Sequence, residues 1–146
     1  MSLLIQNGRI ITADSDQVAD IFIEGEKIQA VGKNLPMKAD ETIDASGKLI
    51  FPGGIDPHVH LDMPFMGTFS SDNYETGTRA ALFGGTTMVI DFILQKQGNS
   101  LADALKEWRS RSDNNCVGDY SFHMAVTDFN ENTKKEIRHF IEVEGI

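Results

Sequence analysis

Residues 53–62 read Gly53-Gly54-Ile55-Asp56-Pro57-His58-Val59-His60-Leu61-Asp62. The run is short, apolar at alternate positions and opened by a glycine pair, which is the pattern of a strand with two distinct faces. Alternation predicts Asp56, His58, His60 and Asp62 on one face and Ile55, Val59 and Leu61 on the other. Downstream, the pattern becomes strand, helix, strand, helix. Ser71 or Asp72 is placed to cap a helix through Tyr74, Thr78, Ala81 and Leu82, closed by Gly84-Gly85. Residues 86–93 read as a second apolar strand. Ser100 caps a second helix with Leu101, Ala104, Leu105 and Trp108 on one face and Asp103 at the capping-box position. Residues 119–127 read as a third strand. A last helix carries Ile137, Phe140 and Ile141 on one face and meets Gly145. Alternating strands and helices imply βαβ units on a parallel sheet, here the first three of a TIM-like (β/α)8 barrel. A closed barrel takes about 250 residues, so the barrel is read as incomplete.

Upstream of Phe51-Pro52 there is no helical period. Residues 3–5 and 9–12 flank Asn7-Gly8, a strong hairpin signal. Residues 20–24 and 27–31 flank Gly25-Glu26, and residues 42–45 and 48–51 flank Ser46-Gly47. The expectation is an α/β chain in two parts. Residues 1–52 form a small antiparallel β-sandwich-type module, and residues 53–146 form the first part of the barrel.

The whole chain has 146 residues, with 13 Lys+Arg against 22 Asp+Glu and a formal net charge of -9. That balance argues against nucleic acid as a partner and against an anionic membrane surface. No apolar run reaches the roughly 18 residues of a spanning helix, and the N-terminus does not resemble a secretory signal. The single cysteine, Cys116, excludes an internal disulfide and a Cys-rich zinc module. The chain therefore reads as soluble and cytoplasmic.

The chemistry sits in the first stretch. Two imidazoles two residues apart at the C-terminal end of a strand can converge on one cation. A pair of exposed or otherwise satisfied histidines is the competing reading. Met63-Pro64-Phe65-Met66-Gly67 follows as an apolar loop. Asp91 falls at the end of the second strand and His123 within the third, where each either supports a metal ligand or serves the core.

Taken together, residues 52–68 (PGGIDPHVHLDMPFMGT), residues 77–92 (GTRAALFGGTTMVIDF) and residues 119–126 resemble the dihydropyrimidinase/D-hydantoinase branch of the amidohydrolase superfamily, in order and spacing. The resemblance implies His58 and His60 as ligands of one zinc of a binuclear centre. It implies hydrolysis of a cyclic amide, with a small cyclic ureide or imide as substrate, and a homo-oligomeric, tetrameric assembly. It places the remaining metal ligands and the general base in sequence beyond residue 146, so that no catalytic residue is assigned here and this chain alone is expected to be inactive. It implies that the loop carrying Met63 and Phe65 lines the pocket for an exocyclic substituent, with loop packing or an oligomer contact as the other reading. No arginine follows the histidine pair until Arg79, which argues against a carboxylate-bearing ring of the dihydroorotase type. A non-catalytic assembly protein of the same fold is disfavoured by the intact histidine pair, and allantoinase remains an alternative.

Overall fold

The computed structural model describes residues 1–146. Two compact units are distinguished, Met1–Pro52 and Gly53–Ile146. The first unit is one mixed sheet. Strand β1 (Ser2–Ile11) is its centre, with β2 (Asp16–Glu24) and β3 (Lys27–Gly32) antiparallel on one side. On the other side β4 (Glu41–Asp44) and β5 (Leu49–Ile50) both run parallel to β1, beside Leu3–Gln6 and Arg9–Ile10.

This corrects the antiparallel reading in two places. Asn7-Gly8 is no hairpin turn. It is a bulge inside one continuous strand, where the register to β2 shifts between Ile5 and Gly8. Asn7 takes the left-handed φ of 64° that made it look like a turn residue, and its freed N–H donates to Asp20 Oδ1 at 2.9 Å. Gly8 is needed for space, because a Cβ there would lie 2.2 Å from Ile50 Cδ1. Ser46-Gly47 likewise does not fold its flanking strands onto each other. The Asp44 carboxylate accepts from the Ser46 N–H and hydroxyl, and the chain steps along β1 from one parallel partner to the next. Gly25-Glu26 does close a hairpin, with Glu24 opposite Lys27 and Gly25 at φ 61°. The small core of this unit is Ile10, Ala19 and Ile21.

The second unit alternates as expected. Strands β6 (Gly54–Val59), β9 (Thr86–Leu94) and β10 (Asp119–Ala125) are parallel, with β9 in the middle. Helix α1 (Tyr74–Phe83) connects the first two, and α2 (Leu101–Ser112) the second pair. The N-cap of α1 is Asn73 rather than Ser71 or Asp72. Its side chain accepts from the Thr76 N–H at 2.9 Å while the Thr76 hydroxyl accepts from the Asn73 N–H at 3.2 Å, a reciprocal box. Ser100 caps α2 as its sequence indicates, with Asp103 N–H donating to Ser100 Oγ at 3.0 Å. Between β6 and α1, a ribbon of β7 (Pro64–Phe65) and β8 (Thr68–Phe69) turns at Met66-Gly67, both at positive φ.

Leu61, Tyr74, Val89, Ile93, Leu101, Leu105, Trp108, Phe122 and Phe140 form the core between sheet and helices. Helix α1 approaches closely because residue 77 is glycine: a Cβ there would lie 2.4 Å from Leu61 Cδ2. After β10, α3 (Glu131–His139) runs into a π-helical turn, Phe140–Glu144, before Gly145 at φ 69°. The wider turn breaks the expected 137/140/141 face. Phe140 is 3% exposed and Ile141 is 64% exposed. No helix is long and apolar enough to cross a membrane.

Candidate metal and substrate site

The histidine pair owes its placement to a local break in β6. Asp56 is opposite Val89 of β9, but Val59, three residues on, is opposite Asp91, two residues on. Pro57 has no N–H for the ladder, and the Asp56 carboxylate accepts the His58 N–H at 3.1 Å in place of a strand partner. The result is a bulge at 57–58. It reverses the alternation, since a one-residue slip moves side chains to the opposite face. Val59 and Leu61 now turn into the core, while His58 and His60 lie exposed on the other side. Asp56 is therefore out of phase with the two histidines, and Ile55 is 61% exposed instead of packed under helices. The expected single polar face of Asp56, His58, His60 and Asp62 is replaced by the pair alone.

The two imidazoles stand edge to face, with centroids 5.1 Å apart. Phe92 of β9 lies against both, at 4.5 Å from His58 and 5.4 Å from His60. His123 on β10 packs on the same phenyl ring at 4.9 Å. Its Nε2 lies 3.0 Å from the Pro57 carbonyl oxygen, spanning β9 to reach the bulge. His123 is hydrogen-bonded, as both readings of it expect, and its ring shares the Phe92 face with the pair.

Asp91 lies on the opposite face of β9 and is 0% exposed. Its Oδ2 accepts from the Tyr74 hydroxyl at 2.7 Å and from the Leu61 N–H at 3.2 Å. Its Oδ1 accepts from the Phe92 N–H at 2.6 Å and lies 3.9 Å from His60 Nδ1. Burial pushes the Asp91 carboxyl up from the usual range, against the opposing pull of Tyr74, the two N–H donors and His60. Burial, with the Asp91 carboxylate second, pushes the Tyr74 hydroxyl well above the phenol range. Sequence reasoning missed Tyr74 and Phe92. The available signal was the row Val89-Asp91-Ile93, an acid in phase with core residues that needs a buried donor.

Met63 and Phe65 come together on one apolar cavity of about 370 Å³, lined also by His60, Thr68, Phe69 and Ser70. Met63 is 8% exposed and Phe65 is 64% exposed. Two hydrogen bonds close the base of the ribbon: Met63 N–H to Ser70 Oγ and Ser70 N–H to the Met63 carbonyl, both at 2.9 Å.

A parallel strand–helix unit with an HxH pair on the open face of its sheet matches a known family model. The Amidohydrolase family model covers residues 49–144, and the chain belongs to that family. Family membership implies a metal cofactor. Its named likenesses are more particular. The chain is 46% identical over 146 residues to a D-hydantoinase of Geobacillus stearothermophilus, covering 100% of this chain and 31% of that protein. It is 42% identical to a dihydropyrimidinase of Rattus norvegicus, covering 99% of this chain and 29% of that one. The crystal structure of a dihydropyrimidinase from Brevibacillus agri NCHU1002 superposes with a TM-score of 0.97 at 46% identity, over 100% of this chain and 32% of that chain. The chain thus spans about a third of the length of these relatives.

The donor chemistry fits such a cofactor in part. Two imidazole nitrogens side by side suit a borderline divalent cation. No group of three or more His, Cys, Asp or Glu side chains in the chain is placed to hold a metal ion.

Proposed function

We propose that the whole protein carrying this chain is a zinc-dependent cyclic amidohydrolase that opens the ring of dihydropyrimidines or 5-substituted hydantoins. The observation that carries this reading is the position of His60. It belongs both to the imidazole pair and to the wall of the apolar cavity that holds Met63 and Phe65. A cation held by the pair would stand at the mouth of a pocket that accepts an apolar substituent. The D-hydantoinase and dihydropyrimidinase names of the relatives support the substrate class.

In this reading His58 and His60 hold the metal through ring nitrogens. Phe92 packs beneath both rings, limiting their rotation and excluding water from that side. Met63 and Phe65 contact the exocyclic substituent and so orient the ring. When bound, zinc polarises the ring carbonyl and acidifies water at neutral pH. Residues 1–52 correspond to part of a β-sandwich and residues 53–146 to the first three βα units of a (β/α)8 barrel. The parallel order of β6, β9 and β10, with helices α1 and α2 connecting them, supports that assignment.

The test is metal analysis with a dihydrouracil and hydantoin hydrolysis assay on the whole protein. His58→Ala and His60→Ala should each lose zinc and at least three orders of magnitude of turnover, in line with loss of the cation's charge stabilisation, roughly several kcal/mol. Full turnover in either variant, or in metal-stripped protein, would overturn the reading.

A further inference from the structure

Asp91 is a fully buried carboxylate in a row with Val89 and Ile93, and no step proposed above uses it. Such a group is costly to bury unless its oxygens are satisfied. Three donors satisfy it: the Tyr74 hydroxyl, the Leu61 N–H and the Phe92 N–H. They come from α1, from the segment after β6 and from β9 itself. Together they fix how the carboxylate plane is turned. The one charged neighbour is His60, whose Nδ1 lies 3.9 Å from Oδ1.

We propose that Asp91, held by Tyr74, is a positioning residue for His60: it keeps the proton of that imidazole on Nδ1 and so leaves Nε2 free to bind the cation. The inference rests on the reading of His60 as a metal ligand. A carboxylate behind a ligating histidine fixes both tautomer and ring orientation and raises the basicity of the ligating nitrogen. At 3.9 Å the contact is an ion-pair distance and not a hydrogen bond. Tyr74 stays a donor throughout, because burial and the neighbouring carboxylate hold its proton on. It cannot compete with His60 for the role of ligand, since it is buried on the helix side of the sheet.

The alternative is that Asp91 only ties Leu61 and Tyr74 to β9. The two roles part on the tautomer. The experiment takes the whole protein, metal-stripped and labelled with nitrogen-15 in histidine, with the His60 signals assigned by their loss in His60→Ala. His60 should show the Nδ1–H form. Zinc affinity, read by chelator competition, should fall by about 10- to 100-fold in Asp91→Asn and by a smaller factor in Tyr74→Phe. Tyr74→Phe keeps the ring that fills the core, so it reports even if Asp91→Asn does not fold. An Nε2–H tautomer in the unaltered protein, or wild-type zinc affinity in Tyr74→Phe together with an unchanged tautomer, would overturn the inference and leave the metal reading standing. Wild-type zinc affinity in His60→Ala would overturn both.

Discussion

Along β9, Val89, Asp91 and Ile93 turn toward the helices and are 3% exposed or less, whereas Met88, Ile90 and Phe92 turn the other way and are only half-buried. The helix side is packed by Leu101, Leu105 and Trp108 of α2 and by Tyr74 of α1. The other side holds three imidazoles around one phenyl ring. The same strand thus separates residues that pack the sheet against its helices from residues that gather the imidazoles. A group on the first side can be replaced only at the expense of packing.

That contrast can be broken by comparing the two sides directly. Trp108 is 1% exposed, and Arg111 stacks over its ring with Cζ 5.0 Å from the centroid. Trp108→Ala should destabilise the whole protein by about 3–5 kcal/mol in urea unfolding, through lost burial and a cavity. His58→Ala, whose ring packs against His60 and Phe92, should shift the same transition by a smaller amount, about 1 kcal/mol, in metal-free protein. Equal shifts would erase the distinction between the faces. The cavity beside His60 gives a sharper version. Phe65→Ala should alter the ratio of kcat/KM between bulky and unsubstituted hydantoins by about tenfold, in keeping with the value of one apolar contact. A uniform loss across substrates would assign Phe65 to the ribbon's structure instead. The smallest effect belongs to the helix side. Ser100→Ala removes the cap on the Asp103 N–H and should cost about 1 kcal/mol, with no change in zinc content.

Legibility in the sequence followed the range of the interaction. The Ser100–Asp103 cap and the Gly25-Glu26 hairpin were readable because both ends of each lie within four residues. Asn7-Gly8 and Ser46-Gly47 carry equally strong turn chemistry, but which strand pairs with which is settled by β1 taking parallel partners, a tertiary choice. The 3.6-residue period placed Phe140 correctly and Ile141 wrongly, because the π-helical turn widens the spiral just there. At the site, spacing alone brought His58 and His60 together. Asp91 was readable as a candidate support from its place at the end of the second strand, whereas Tyr74 and Phe92 became visible only through the packing of α1 and the register of β9 against β6, which no local window contains.

The bulge at Pro57-His58 has a consequence for how this strand tolerates change. Its two faces are assigned by counting from the bulge, so the segment is sensitive to length more than to identity. Exchanging Val59 for another aliphatic residue leaves every later side chain where it was. Pairing the same residues in an unbroken ladder would set His58 opposite Asp91 and turn the imidazoles inward against the helices, with the aliphatic side chains outward. The Asp-Pro pair thus acts as a reading frame for the strand, keeping a two-residue chemical signature in phase with a surface that other elements build.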